Sequence, residues 1–514
     1  MTVAQSREPG LGSLATSSDL NTAIRSVGRI KSVPGNHAPA MLLLKQTGCP
    51  VLKTGSSGGG SFIHILGARS SDGKTQPGTI HSDSDGVGCT GANNGWVFGG
   101  LATNGIVAYA APLATNPLAA DPAKPGFITT VAAANGLSGS VVRDSLSNVH
   151  GSSSLDATTT GTPSDVTGKS LVTRGLHDDR YFPAVKSAIS GANSVFVSGA
   201  SGRPTTGGWV SFPTSVDACK PRQAEVDSLN LTSTSKLYVD CATNAGFSGP
   251  NSTLSLTINA GTIYFRGVVN PALLLKMPNA RHVYVGNHFS SPHPDAILIG
   301  NNASFEVNTS GNLDASGNCS PGQSSDLTNK AVLFVRAGTF KQTGSTSLLR
   351  MCRTTALLMG GQPDGCVPTA PGTAPTTTPC GGGPGSGQFT QQGGGINWTA
   401  PDALDATIDA AGNSLPTARA GWEDPNGPED LALWSESYGS YNMAGGGLFK
   451  VAGVFMVPHA DPFVISGGAS LSLVNAQFIA STIELNGTGT NITMSVDPNS
   501  AITLPEQGLV GLVR

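Results

Sequence analysis

From residue 194 onward the chain repeats one pattern, in which apolar and polar positions alternate over short runs cut by Gly, Asn or Pro. Ser194-Val195-Phe196-Val197-Ser198-Gly199 opens the series. Leu254, Leu256 and Ile258 alternate with Ser255 and Thr257, and Ile263 and Phe265 follow. Val283 and Val285, Phe305 and Val307, Leu333 and Val335, and then Leu357 and Leu358 continue it. Alternation with period two marks strands that bury one face. Recurrence at about 20 residues marks stacked coils. Asn and Gly sit between the runs, as in Gly300-Asn301-Asn302 and Val285-Gly286-Asn287, where a corner needs positive φ at little cost. A β-sandwich would alternate too, but Asn-Gly hairpin signals do not fall regularly between the strong runs. The expected fold is therefore all-β, a right-handed parallel β-helix (solenoid) with irregular insertions.

Four regions follow from this pattern. Residues 1–190 form an N-terminal β-rich region, with runs at Phe62/Ile63/Ile65, Ile80, Val97/Phe98 and Ile106/Val107 and irregular connections from 112 to 182. Within it, Ala184–Ile189 is expected to make one short helical turn. Residues 191–366 form the central β-helix. Residues 367–446 combine a Pro/Gly-rich excursion (Pro368–Phe389) with a loop rich in Trp and acidic residues. Residues 447–514 return to β-helix coils, starting with Leu448–Val457.

Composition sharpens the picture. The 514 residues include 68 Gly and 34 Pro and only 12% charged side chains, which excludes long helical bundles. With 29 basic against 32 acidic residues, no nucleic acid partner is expected. No apolar run reaches membrane-spanning length, so no span is expected in this chain. The first ten residues lack the apolar core of a signal peptide. Eight cysteines stand far apart without a C-x-x-C pair, a pattern of structural disulfides and so of an extracytoplasmic protein. Neighbours could pair as Cys49 with Cys89, Cys219 with Cys241, Cys319 with Cys352 and Cys366 with Cys380, although spacing does not fix connectivity.

The carboxyl end carries a resemblance. Leu431-Ala432-Leu433-Trp434-Ser435-Glu436, the run Gly447–Ala460, Asn475–Ile479, Val496-Asp497-Pro498 and Gly511–Arg514 resemble the ends of actinobacterial TadE/TadG-like proteins. These are associated with assembly of Flp (tight-adherence) pili. The resemblance covers 430–514 best and implies a surface-exposed or secreted protein, normally membrane-anchored, with cell-envelope or pilus proteins as partners; the flat Thr, Ser and Asn ladders of a solenoid add glycans to the expected partners. A membrane anchor of the family's kind is not expected within these residues. The resemblance supplies no catalytic residues.

Candidate chemistry is sparse. Parallel β-helices also carry polysaccharide lyases and glycoside hydrolases, so such an enzyme is the alternative expectation. Asp178-Asp179 and Arg29-Ile30-Lys31 echo two galacturonase motifs, but in the wrong order and without the other two. The cluster Glu423, Asp424, Glu429, Asp430 and Glu436 offers the best candidate calcium ligands, Glu423, Asp424 and Asp430, in a turn-rich loop. Asp83-Ser84-Asp85-Gly86 fails as a calcium loop because Asn94 stands where the bidentate acid belongs. His282, His288, His293 and His459 are scattered, and no catalytic or cofactor-binding residue is assigned. Open coil ends predict end-to-end self-association unless Pro505–Gly508 and the irregular start cap them. The expectation is a non-enzymatic structural or adhesive surface protein.

Overall fold

The computed structural model describes residues 27–32, 39–45, 47–54, 62–66, 68–69, 75–76, 79–82, 84, 86–89, 98–100, 105–108, 112–113, 116–120, 127–130, 142–143, 182–243, 245–249, 255–289, 292–319, 329–366, 387–401, 430–445, 448–467, 471–486, 491–495 and 508–513. Among the described residues strands dominate, with two helices, α1 (Phe182–Gly199) and α2 (Gln223–Asp227). Nearly all strand pairs are parallel.

The pairs form three ladders that the chain visits in turn. The first runs through Trp209–Ser211, Lys236–Val239, Thr262–Phe265, His282–Val285, Ala331–Val335, Thr354–Leu358 and Leu431–Ser435. It continues into the second halves of Phe449–Val457 and Leu471–Ala480. The second ladder stacks Ser255–Thr257, Leu274–Met277, Ser304–Val307, Leu348–Met351, Gly395–Thr399 and the first half of Phe449–Val457. The third stacks Asp295–Ile299, Thr339–Gln342, Phe389–Gln391, Gly439–Gly445, Ala460–Gly467 and Ile483–Asn486.

Register explains the burial. Leu237, Ile263, Val283, Leu333, Ala356 and Leu433 form one inward column of the first ladder. Leu256, Leu275, Phe305, Leu349 and Ile396 form one of the second, and Ile297, Phe340 and Phe389 one of the third. All pack in one core. Aromatic rings run through it from Phe305 to Phe340, Phe389, Trp398, Phe455 and Phe478, with centroids 5.2–5.9 Å apart. The contacts are edge-on as far as Phe455 and stacked from Phe455 to Phe478, each worth about 1 kcal/mol beyond the burial of the rings.

The amino-terminal strands do not form a separate stack. Met41–Leu43 pairs with both Leu471–Ala480 and Thr79–Ser82. Leu52–Thr54 pairs with both Ile483–Asn486 and Phe98–Gly100. Phe62–Leu66 pairs with both Asn491–Ser495 and Gly105–Ala108. The first strands of the chain thus extend all three ladders beyond the last ones.

The structure corrects the reading of residues 184–199. Ser194–Gly199 is the end of α1, not a strand, and Ala184–Ile189 belongs to the same helix of 18 residues. The helix therefore crosses the expected boundary at 190/191. Val185, Ile189, Ala192 and Phe196, spaced three or four apart, face the first ladder and are all buried. The outward column they cover is itself apolar, namely Tyr238, Tyr264, Tyr284, Phe334, Leu357 and Trp434. Packing on that column overrides the β-propensity of Val195-Phe196-Val197.

Three of the sequence-neighbour disulfides form, Cys49–Cys89, Cys219–Cys241 and Cys319–Cys352. Cys366 is also disulfide-bonded, and its expected partner Cys380 lies outside the described residues. Among the described residues no helix is long and apolar enough to cross a membrane.

Candidate functional site

Two polar clusters lie against the first ladder. The first holds the end of α1. Tyr238 Oη donates to Gly199 O at 2.8 Å, Tyr264 Oη donates to Phe196 O at 3.3 Å and Arg266 Nε donates to Ala200 O at 2.9 Å. These side chains satisfy carbonyls that a helix C-terminus leaves without partners, and the guanidinium complements the negative end of the helix dipole. Asp240 holds Arg266 Nη1 at 2.8 Å. Gly199 fits against the Tyr264 ring, where a Cβ would collide.

Tyr264 Oη also lies 2.7 Å from His288 Nε2. Burial raises the Tyr264 hydroxyl above its ordinary range. Burial, with Arg336 and Arg266 nearby, pushes the His288 imidazole down to about 4. Both groups are therefore neutral near pH 7, and His288 can donate to Tyr264 while Tyr264 donates to the helix. The cluster docks a helix.

The second cluster sits where the chain turns from the first ladder to the third. Glu436 follows Leu431–Ser435 and is 0% exposed, and His459 follows Phe449–Val457 one level along. His459 Nε2 stands 3.2 Å from Glu436 Oε2. The Tyr438 ring stacks on the imidazole with centroids 4.5 Å apart. Beneath them Tyr441 Oη lies 2.8 Å from Ser435 Oγ and 3.0 Å from Ser437 O, and burial, with Glu436 adding to it, raises this phenol above its ordinary range. Two residues beyond His459, Asp461 accepts from Thr482 Oγ1 at 2.7 Å and pairs with Lys45 at 3.4 Å. A partly exposed imidazole oriented by a buried carboxylate is chemically suited to moving a proton.

The residues singled out from sequence fare differently. Glu423, Asp424 and Glu429 lie outside the described residues, as do Asp178, Asp179, Asp83 and Asp85. Asp430 does not stand in an open acidic loop. It is 2% exposed at a corner with φ +64°, its N–H bonded to Pro401 O and its carbonyl accepting from Val454 N. Asn308 and Arg353 take positive φ at the equivalent corners of the preceding levels. Among the described residues no group of three His, Cys, Asp or Glu is placed to hold a metal ion.

Sequence reading counted Glu436 with the acids and His459 among scattered histidines. The signal that joins them is their separation by one level of the stack, which only the strand register reveals. No protein-family model, curated protein or solved structure matches the chain.

Proposed function

We propose that the chain winds as a right-handed parallel β-helix and acts outside the cytoplasm as a non-enzymatic structural or adhesive protein of the cell envelope, in the setting of TadE/TadG-like pilus-assembly proteins. The observation that carries this reading is where the long connections leave the ladders. Residues 308–330 and 400–430 both lie between a second-ladder and a first-ladder strand, and residues 359–388 lie between a first-ladder and a third-ladder strand. The first is tied down by Cys319–Cys352, and Cys366 lies in the third. A disulfide-braced stack with long connections at its corners suits presentation of contact surfaces to other proteins and glycans.

Surface labelling of intact cells and binding to an array of envelope glycans and pilus proteins test the reading. Labelling from outside with saturable binding is expected, whereas a protein found only in the cytoplasm would refute it. A second reading, a carbohydrate-active enzyme, is favoured by the Glu436–His459 pair alone. It predicts turnover of acidic or neutral polysaccharides that His459→Ala abolishes, and such turnover would displace the structural reading.

A further inference from the structure

The seam between the chain's first and last strands is unlike every other junction in the stack. Elsewhere, successive levels are joined directly by the chain. Here Met41–Leu43, Leu52–Thr54 and Phe62–Leu66 lie on Leu471–Ala480, Ile483–Asn486 and Asn491–Ser495, which are more than 400 residues away in sequence. Backbone bonds cross the seam from Leu44 N to Ala480 O at 2.8 Å, from Phe478 N to Ala40 O at 2.9 Å and from Ile483 N to Val51 O at 2.8 Å. The buried Gln477 amide donates to Pro39 O at 2.8 Å, and Lys53 pairs with Glu484 at 2.9 Å.

Among the described residues no disulfide joins its two sides. Cys49–Cys89 lies wholly on the amino-terminal side, and Cys219–Cys241 and Cys319–Cys352 wholly on the other. The only peptide route between the sides is the segment 144–181, before α1. Fully extended it could reach about 120 Å. The ladders span about 50 Å at a strand spacing near 4.8 Å.

We propose that this seam is an exchange interface between copies of this chain. The amino-terminal strands of one molecule dock on the carboxyl-terminal strands of another, using the same backbone bonds, the same core side chains and the same Lys53–Glu484 pair. The inference does not depend on the adhesive reading. Because the contacts are identical in both arrangements, the balance is set by the local concentration that the tether supplies against the concentration of other copies. Reciprocal exchange closes a two-fold dimer, and one-way exchange extends a chain of molecules.

The test uses two full-length variants, Lys53→Cys and Glu484→Cys. The native cysteines offer no competing free thiol. The two are unfolded together without reductant at acidic pH, refolded over a range of concentrations and treated with a short bis-maleimide. The expected result is a covalent mixed dimer on a denaturing gel whose share rises with refolding concentration, and a matching dimer mass by light scattering. The double variant Lys53→Cys/Glu484→Cys refolded dilute should instead cross-link within one chain. The proposal is overturned by a mixed dimer absent at every concentration while the double variant cross-links within the chain. It is also overturned if the double variant fails to cross-link, or if folded proteins cross-link equally well when simply mixed.

Discussion

Single side chains in this protein differ in what their removal exposes. Among the described residues Glu436 has no hydrogen-bond partner for either carboxyl oxygen, and only His459 stands within ion-pair distance. Removing the imidazole by His459→Ala strips the fully buried carboxyl of this contact, at a cost of about 3 kcal/mol, whereas Glu436→Gln leaves an amide that is cheaper to bury and should cost less. Denaturant unfolding of the two variants and of Glu436→Gln/His459→Ala checks this. The double variant should be more stable than His459→Ala alone. His288 makes a different prediction, about pH. Its folded pKa of about 4 lies below the ordinary value near 6.5, so the unfolded chain takes up the proton first as pH falls. The stability it contributes is complete above pH 6.5, declines as pH drops toward 4 and is then flat. With its partial solvent contact allowed for, the loss is about 1–2 kcal/mol. The difference between wild type and His288→Gln, measured across that interval, should show this slope. A difference that does not change with pH would contradict it.

At the scale of elements, the strands were legible, but of the helix only its first part was, as a single turn at Ala184–Ile189. Alternation located Thr262–Phe265, Ser304–Val307 and Ala331–Val335 because each has a buried inner face. It misread Ser194–Gly199 because Val195 and Val197 flank Phe196 in β-like alternation, while the helical spacing of Val185, Ile189, Ala192 and Phe196 stretches over a longer window. A second signal lay in the strands themselves. Leu237-Tyr238-Val239, Ile263-Tyr264-Phe265 and Val283-Tyr284-Val285 are apolar at three consecutive positions, the pattern of strands covered on both faces. Phe196 meets Tyr264 and Tyr284 edge-on, with both centroids 5.7 Å away. Phe196→Ala should therefore cost about 3–4 kcal/mol. Tyr264→Phe, which keeps the ring but removes the hydroxyl, should cost about 1 kcal/mol. Hydrogen exchange should show residues 182–199 opening more readily in Phe196→Ala while the ladder strands stay protected. Uniform loss of protection would mean that the helix is not a separable cover.

At the scale of the whole molecule, coil spacing made the stacking legible but not its order, since nothing local in Met41-Leu42-Leu43 shows that its neighbour is Phe478-Ile479-Ala480. The ends of the stack were harder still. Pro505–Gln507 lies outside the described residues, and Gly508–Val513 pairs antiparallel with Val27–Ser32. The cap found at the other end is a segment that sequence reading passed over. Phe212 and Val226, with Val216, Ala218, Leu229 and Leu231, pack on the core beyond the first levels, and Cys219–Cys241 holds them there. Within this cap α2 presents Gln223 to the edge strand Ser255–Thr257. Its Nε2 donates to Thr257 O at 3.0 Å and its Oε1 accepts from Thr257 N at 2.8 Å. One side-chain amide thus takes the two bonds that another strand would make, and among the described residues Ser255–Thr257 pairs on its other side with Leu274–Met277 alone. A bare edge of this kind recruits strands from other molecules. Gln223→Ala should therefore raise concentration-dependent association by light scattering without refolding, which separates it from exchange at the seam. Gln223→Glu keeps one acceptor for the Thr257 N–H but sets a carboxylate against Thr257 O, so it should destabilise this end while its charge discourages stacking. If both variants stay monomeric across the concentration range, the amide is not what keeps this end of the stack closed.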